Sequence, residues 1–159
     1  MPYLYCLPSL ICAIALSVED IRHRRVPRAW VGVFFLLQLV ADLVWAGTAN
    51  QFFVVLQALL FAVLCAFVQL LLALAKPGAL GFGDVTAMLP LGLAVGMYGL
   101  DGVVVWWVAM SVLGLALIAL WSRFDPQRHT PYRGKTPFVP AIAAGAAVAV
   151  FSTMFSTML

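Results

Sequence analysis

The chain has 159 residues, of which 65% are hydrophobic and only 9% charged, and its mean hydropathy is +1.07. A water-soluble domain carries about 25% charged residues and roughly half apolar ones, so this composition excludes one and makes the bilayer the solvent. The net charge of +3 does not point to nucleic acid, because no aromatic or Gly-rich recognition pattern accompanies the basic residues.

Six stretches approach the ~20 apolar residues needed to cross ~30 Å of hydrocarbon. In chain order they are 2–18, 29–46, 52–75, 85–100, 102–121 and 138–159. The first and fourth are short, and both abut a charged loop. The first lacks a basic leading region and an A-x-A-like cleavage site, so it reads as a span rather than a removable signal. No repeat of fixed period and no low-complexity linker interrupts the pattern, and residues 1–159 read as a single membrane domain. The expected fold is all-α: a polytopic bundle of about six transmembrane helices.

Charge orients the bundle. All nine Lys and Arg residues fall in alternate loops: Arg22, Arg24, Arg25 and Arg28, then Lys76, then Arg123, Arg128, Arg133 and Lys135. By the positive-inside rule these loops are cytoplasmic, and both termini lie on the other side. The Arg22 to Arg28 cluster reads as a topology anchor on anionic lipid, with steadying of Asp20 as a secondary role.

The acids fall on the same map. Glu19, Asp20, Asp84 and Asp125 lie toward the cytoplasm, Asp42 and Asp101 toward the opposite face. Asp20 closes the first span and Asp84 opens the fourth, so the two share one depth, and their carboxyls meet if those spans are neighbours. An acid at the edge of hydrocarbon is costly and marks a functional candidate. Two such acids side by side cannot both ionise easily; they share a proton and titrate as a unit. One is then a general base toward water and the other an acid toward a peptide carbonyl. Such chemistry calls for no metal, no cofactor and no covalent intermediate.

Asp84 stands in Leu80-Gly-Phe-Gly-Asp-Val85. Gly81 and Gly83 allow a tight turn and close approach of an extended substrate strand, and Lys76-Pro77-Gly78 ends the third span. A chain of this composition holds a Gly-x-Gly-Asp by chance in roughly 3% of cases, so the motif alone does not decide. The plainer alternative has Asp84 N-capping the next helix.

Three pieces carry a resemblance: Asp20-Ile-Arg-His-Arg-Arg-Val-Pro27, Lys76-Pro-Gly-Ala-Leu-Gly-Phe-Gly-Asp84 and Pro137-Phe-Val-Pro140. In residue type, order and topological position the chain resembles the type IV prepilin peptidases, which are intramembrane aspartyl proteases. The resemblance implies that Asp20 and Asp84 are the catalytic pair, with Gly81, Gly83, Lys76, Pro27, Pro137 and Pro140 supporting the site. It implies cleavage of the leader of prepilins or pseudopilins at the cytoplasmic face of a bacterial inner membrane, just before the pilin's hydrophobic helix, with membrane lipids and pilus assembly machinery as further partners. Arg28, Thr86 and Val139 stand where the family often has Asn, Lys and Gly; these departures bear on substrate type more than on reaction type. Longer relatives carry a cytoplasmic insert with paired Cys-x-x-Cys motifs and also methylate the mature pilin. Here the three cysteines, Cys6, Cys12 and Cys65, lie singly within apolar spans. They read as small hydrophobic fillers, no zinc is expected, and the compact form looks most like the peptidases of Flp-type (tight adherence) pili.

The remaining polar residues have simpler readings. Glu19 is turned ~100° from Asp20 by helical spacing and reads as a solvated acid. His23 and His129 read as solvent or headgroup contacts, and Asp125 as a turn residue. Asp42 lies inside the second span, where a hydrogen bond to a neighbouring helix or snorkelling toward water accounts for it. The pairs Gly92/Gly96 and Ala141/Gly145 read as close helix packing, and Trp45, Trp106, Trp107 and Trp121 as interfacial anchors. Two other classes compete with a protease. A small ion or solute carrier would place its acids near the midplane, and a non-catalytic assembly partner would need no matched pair of carboxyls.

Overall fold

A computed structural model of the chain describes residues 2–75, 81–124 and 136–156, and among these all regular structure is helical. The polar tail of the first apolar stretch does not end its helix, because residues 19–23 hold no glycine or proline to break it. After a 3-10 turn over Pro2–Cys6, α1 covers Leu7–His23 and stops where Arg24 turns left-handed at φ 52°. Then follow α2 (Arg28–Ala49), closed by Asn50 at φ 54°, α3 (Phe52–Ala75), α4 (Phe82–Gly96), α5 (Gly99–Phe124) and α6 (Val139–Ser156).

Residues Leu4–His23 and helices α2, α3 and α5 are long and apolar enough to cross a bilayer, whereas α4 and α6 are shorter. The protein is a helical membrane bundle. At 15 residues α4 spans only about 22 Å, and its surroundings make that length tolerable. Helices α1, α2, α3, α5 and α6 all pack against it. Every residue from Pro90 to Gly96 is buried, as are Asp84, Val85, Ala87 and Met88. A helix apolar on all sides belongs in the middle of a bundle, and α4 is enclosed by the other helices. The outer helices instead leave large side chains such as Phe53, Leu115 and Ile14 about 70% exposed, a surface suited to hydrocarbon and aggregation-prone in water.

Small residues set the helix spacing. A Cβ on Gly92 would lie 2.6 Å from the Ala62 Cα, and one on Gly96 2.8 Å from the Ala58 Cα, so the two glycines let α4 press directly on α3. Gly145 lies against the Met110 backbone in the same way and joins α6 to α5. Trp106 departs from the expected interfacial role. It is fully buried, and its indole N–H donates to the Ile142 carbonyl at 3.0 Å, so it locks α5 onto α6 from inside. The neighbouring Trp107 donates to Cys65 Sγ at 3.3 Å. Cys6, Cys12 and Cys65 are all buried, and none is in a disulfide.

Asp42 neither snorkels nor bonds directly to a neighbouring helix. It is fully buried, and its Oδ1 accepts from the Gln38 amide one turn earlier at 2.7 Å. Gln38 also donates to the Tyr5 carbonyl (2.8 Å) and accepts the Ser9 N–H (3.1 Å). The Ser9 hydroxyl in turn donates to the Pro90 carbonyl at 2.6 Å. A polar tie thus joins α2, the start of α1 and the middle of α4, at the opposite end of α1 from Asp20.

Candidate active site

Asp20 sits in the last turn of α1, where the aligned peptide dipoles disfavour an anion. Its surroundings offset this. The Val139 N–H, first in α6 and without a partner in its own helix, donates to Asp20 Oδ2 at 3.2 Å. The Phe138 N–H and the Arg24 guanidinium also interact with the carboxyl. The reason α6 begins here is visible locally: Pro140, which has no N–H to satisfy, stands in the first turn of a helix as proline prefers. The opening of α6 therefore presents its donors to Asp20 as a helix N-terminus does to any anion.

Asp84 is the third residue of α4 and not its N-cap. Gly81 holds the cap position, and the contact is reciprocal: the Gly81 N–H donates to Asp84 Oδ2 at 2.8 Å, and the Asp84 N–H donates to the Gly81 carbonyl at 3.0 Å. This is the arrangement of a capping box with glycine at its head. Asp20 and Asp84 are 8% and 7% exposed, helices α1 and α4 are in contact, and the two carboxyls act on each other electrostatically. The structure brings them together at one end of the bundle.

The surroundings of the two glycines differ. Gly81 has φ −81° and ψ 149°, ordinary extended backbone, and a Cβ there would meet Asp84 Oδ2 at 3.4 Å and the Gly83 nitrogen at 3.9 Å, both ordinary contacts. Gly83 is tighter. A Cβ on it would lie 2.6 Å from Val26 Cγ2 and 2.8 Å from Val26 Cβ, so its bare face is filled by the chain's own α1–α2 linker and not left open to a substrate strand. The Arg28 guanidinium lies 5.5 Å from the Phe82 ring centroid, a cation–π contact that ties the same two segments. Two of the three unusual residues of the motif pieces have side-chain contacts here: Arg28 makes this one, and the Thr86 hydroxyl donates to the Gly83 carbonyl at 3.0 Å.

Pro27 caps α2 with φ −64° and ψ 114°, and Pro137 is buried just ahead of α6. Pro140 lines an apolar groove of about 480 Å³ between α1 and α6, with Ile14, Ser17, Ile21, Ala144 and Ala147 among its walls. Lys76, His129 and Asp125 lie outside the described residues. Glu19 is half-buried and pairs with His23 at 3.0 Å, a partner that follows once α1 is seen to continue through both residues. Two contributors are not apparent from the motifs: the main-chain N–H of Val139, and Trp121, whose ring centroid lies 5.0 Å from the guanidinium carbon of Arg24, a member of the cluster expected to steady Asp20. The proline at position 140 was the available signal for the first, since it marks a helix start whose free donors need an acceptor.

The sequence profile described as the type IV leader peptidase family matches residues 7–123. The chain belongs to the type IV leader peptidase family. No curated protein and no solved structure matches it. As a leader peptidase it is an enzyme that cuts peptide bonds, and the matched region holds Asp20 and Asp84, the linker that packs on Gly83 and the start of α4. Helix α6, which supplies the N–H to Asp20, lies beyond it.

Proposed function

We propose that this leader peptidase is an aspartyl endopeptidase in which Asp20 and Asp84 act as the acid–base pair. The observation that carries the reading is the joint burial of these two carboxyls, remote in sequence, at one end of α1 and α4. Two acids in a low-dielectric pocket favour a state with one shared proton. The ionised carboxyl takes a proton from a water molecule as the water oxygen bonds to the scissile carbonyl carbon, and the protonated carboxyl passes its proton to the carbonyl oxygen. The tetrahedral diol then collapses: the C–N bond breaks, the amide nitrogen leaves as an amine with a proton from the pair, and the leader departs with a new carboxyl group. The carboxyls return to their starting protonation, and water is the only co-reactant.

The substrates in this reading are type IV prepilins or pseudopilins, of the Flp type, cleaved at the cytoplasmic face of a bacterial inner membrane. The alternation of basic loops supports that face, because Arg22 to Arg28 and Lys76 border the two motif segments. The apolar groove beside Ile21 and Pro140 supports a substrate whose cut site is followed by a hydrophobic helix lying in lipid. Residues 1–159 would form one membrane-embedded peptidase domain, in contact with lipids and with the pilus assembly machinery.

Co-expression with candidate prepilins tests this. The parent removes the leader, while Asp20→Asn and Asp84→Asn, which keep size and hydrogen bonding but cannot exchange the proton, do not. Processing by both variants at the parent's rate would sink the proposal. Asp42-dependent ion movement across vesicles by the purified chain would favour a carrier instead.

A further inference from the structure

The apolar groove between α1 and α6 is walled from Leu10 to Ile21 on one helix and from Pro140 to Phe151 on the other. Each wall is therefore about 17 Å long, or three turns. One end of the groove stops at Ile21 and Pro140, the residues that directly follow Asp20 and Val139, whose carboxyl and N–H are joined at 3.2 Å. Its floor leads the same way: Ala13, Ser17 and Asp20 are spaced i, i+4 and i+7 and share one face of α1. Among the described residues of the walls only Ser17 has a polar side chain, and its hydroxyl donates to the Ala13 carbonyl at 2.6 Å. No side chain there calls for water. Ile14 and Ala144 stand exposed on the two rims, which leaves the groove open sideways to lipid. Over Gly83, by contrast, Val26 covers the surface of α4.

We propose that this groove is the docking site for the first three turns of the substrate's hydrophobic helix, the segment that follows the bond to be cut, and that Ala144 and Ala147 limit how bulky those turns are. The inference rests on the prepilin peptidase reading and adds to it the place where the substrate is held. A helix that enters sideways from lipid and settles between α1 and α6 has its leading end at Asp20, so the peptide just ahead of it crosses the carboxyl pair. Hydrocarbon is as apolar as the groove, and apolar character alone gives a helix no reason to leave lipid; close packing against small residues does. The alanines at 143, 144 and 147 on the α6 wall permit that approach. Selectivity then depends on side-chain size along one stripe of α6.

Steady-state cleavage by the detergent-solubilised protein tests it with two probes: a purified prepilin, and a soluble peptide with the same leader and cut site but without the hydrophobic helix. The parent is expected to favour the prepilin by about 100-fold or more in kcat/KM. Ala144→Phe and Ile14→Trp, which fill the groove from opposite rims, are each expected to lower that preference about tenfold. Both probes report on the same folded fraction, so their ratio is not altered by partial misfolding of a variant. In a second arm, Ala147→Cys is expected to form a disulfide on mild oxidation with a prepilin carrying a single cysteine two turns after the cut. An unchanged preference in both groove variants overturns the inference and leaves the groove to lipid acyl chains. A parent without preference overturns it too, as does an Ala147→Cys protein that links to a second copy of itself and not to prepilin, or to neither. Each of these outcomes leaves the peptidase reading standing, whereas a parent that cleaves neither probe overturns that reading and this inference with it.

Discussion

Among the described residues the bundle buries three aspartates, and its two ends treat them differently. At one end Asp42 is fully enclosed and held by a single amide, that of Gln38, which also fastens the start of α1. At the other end Asp20 and Asp84 come from two helices in contact and take main-chain donors from α6 and from the start of α4. Asp42 is a lone acid built into a tie between helices. In the proposed mechanism Asp20 and Asp84 form a site where a proton can move from one residue to another. Burial alone therefore does not mark the chemistry; what distinguishes the site is a second acid within electrostatic reach and helix N-termini aimed at the pair.

The widest separation between the two ends should appear on amide substitution. Asp20→Asn and Asp84→Asn are each expected to lower prepilin cleavage by at least about 100-fold, while Asp42→Asn, measured alongside, stays within about twofold because an amide can still accept from Gln38. Asp42→Asn losing as much as the other two would erase the contrast. Next in size is Gly83→Ala. Its new Cβ would fall 2.6 Å from Val26 Cγ2 and push the α1–α2 linker from α4, with a loss of about tenfold in rate. The second change Val26→Ala should recover most of that activity, and no recovery would mean that Gly83 matters for another reason.

A smaller effect is expected from Gln38→Leu, read by thermal or denaturant unfolding in detergent. Leaving the Asp42 carboxyl without its amide should cost about 1–3 kcal/mol with cleavage per folded molecule unchanged. A selective fall in kcat would connect the two ends of the molecule and contradict their separation. Smallest is Trp106→Phe, which removes the donor to Ile142 yet keeps an aromatic ring in the core; about 1 kcal/mol of stability is expected to be lost, again without a change in kcat.

Much of this was legible in the residues because a bilayer leaves few options. Six apolar stretches became six helices, and the two aspartates flanking the first and fourth stretches came together. Hydropathy reports how greasy a segment is and not which neighbour it faces. Trp106 was therefore read as interfacial although it points into the bundle, and α4 gave no sign beyond its shortness that it is the central helix. The end of α1 was set early because residues 19–23 are polar, yet polarity does not stop a helix that lacks a breaker. The same extension explains why the Glu19–His23 pair was missed. Gly83 was read as space for a substrate because a sequence shows that a side chain is absent, and only the fold shows that Val26 fills the gap. The donors to Asp20 were hidden for a related reason: they are backbone groups, identified by where a helix starts and not by residue type.

The central claim is that Asp20 and Asp84 act as one catalytic unit, and single-turnover cleavage of a prepilin by the purified protein tests it most directly. Residues that work as a unit are grossly non-additive when removed. The account predicts that Asp20→Asn, Asp84→Asn and the double variant all fall to the same residual rate. A double variant slower than either single one by the product of their separate losses would show two independent contributions, and near-parent cleavage by either single variant would show that the pair does not perform the reaction.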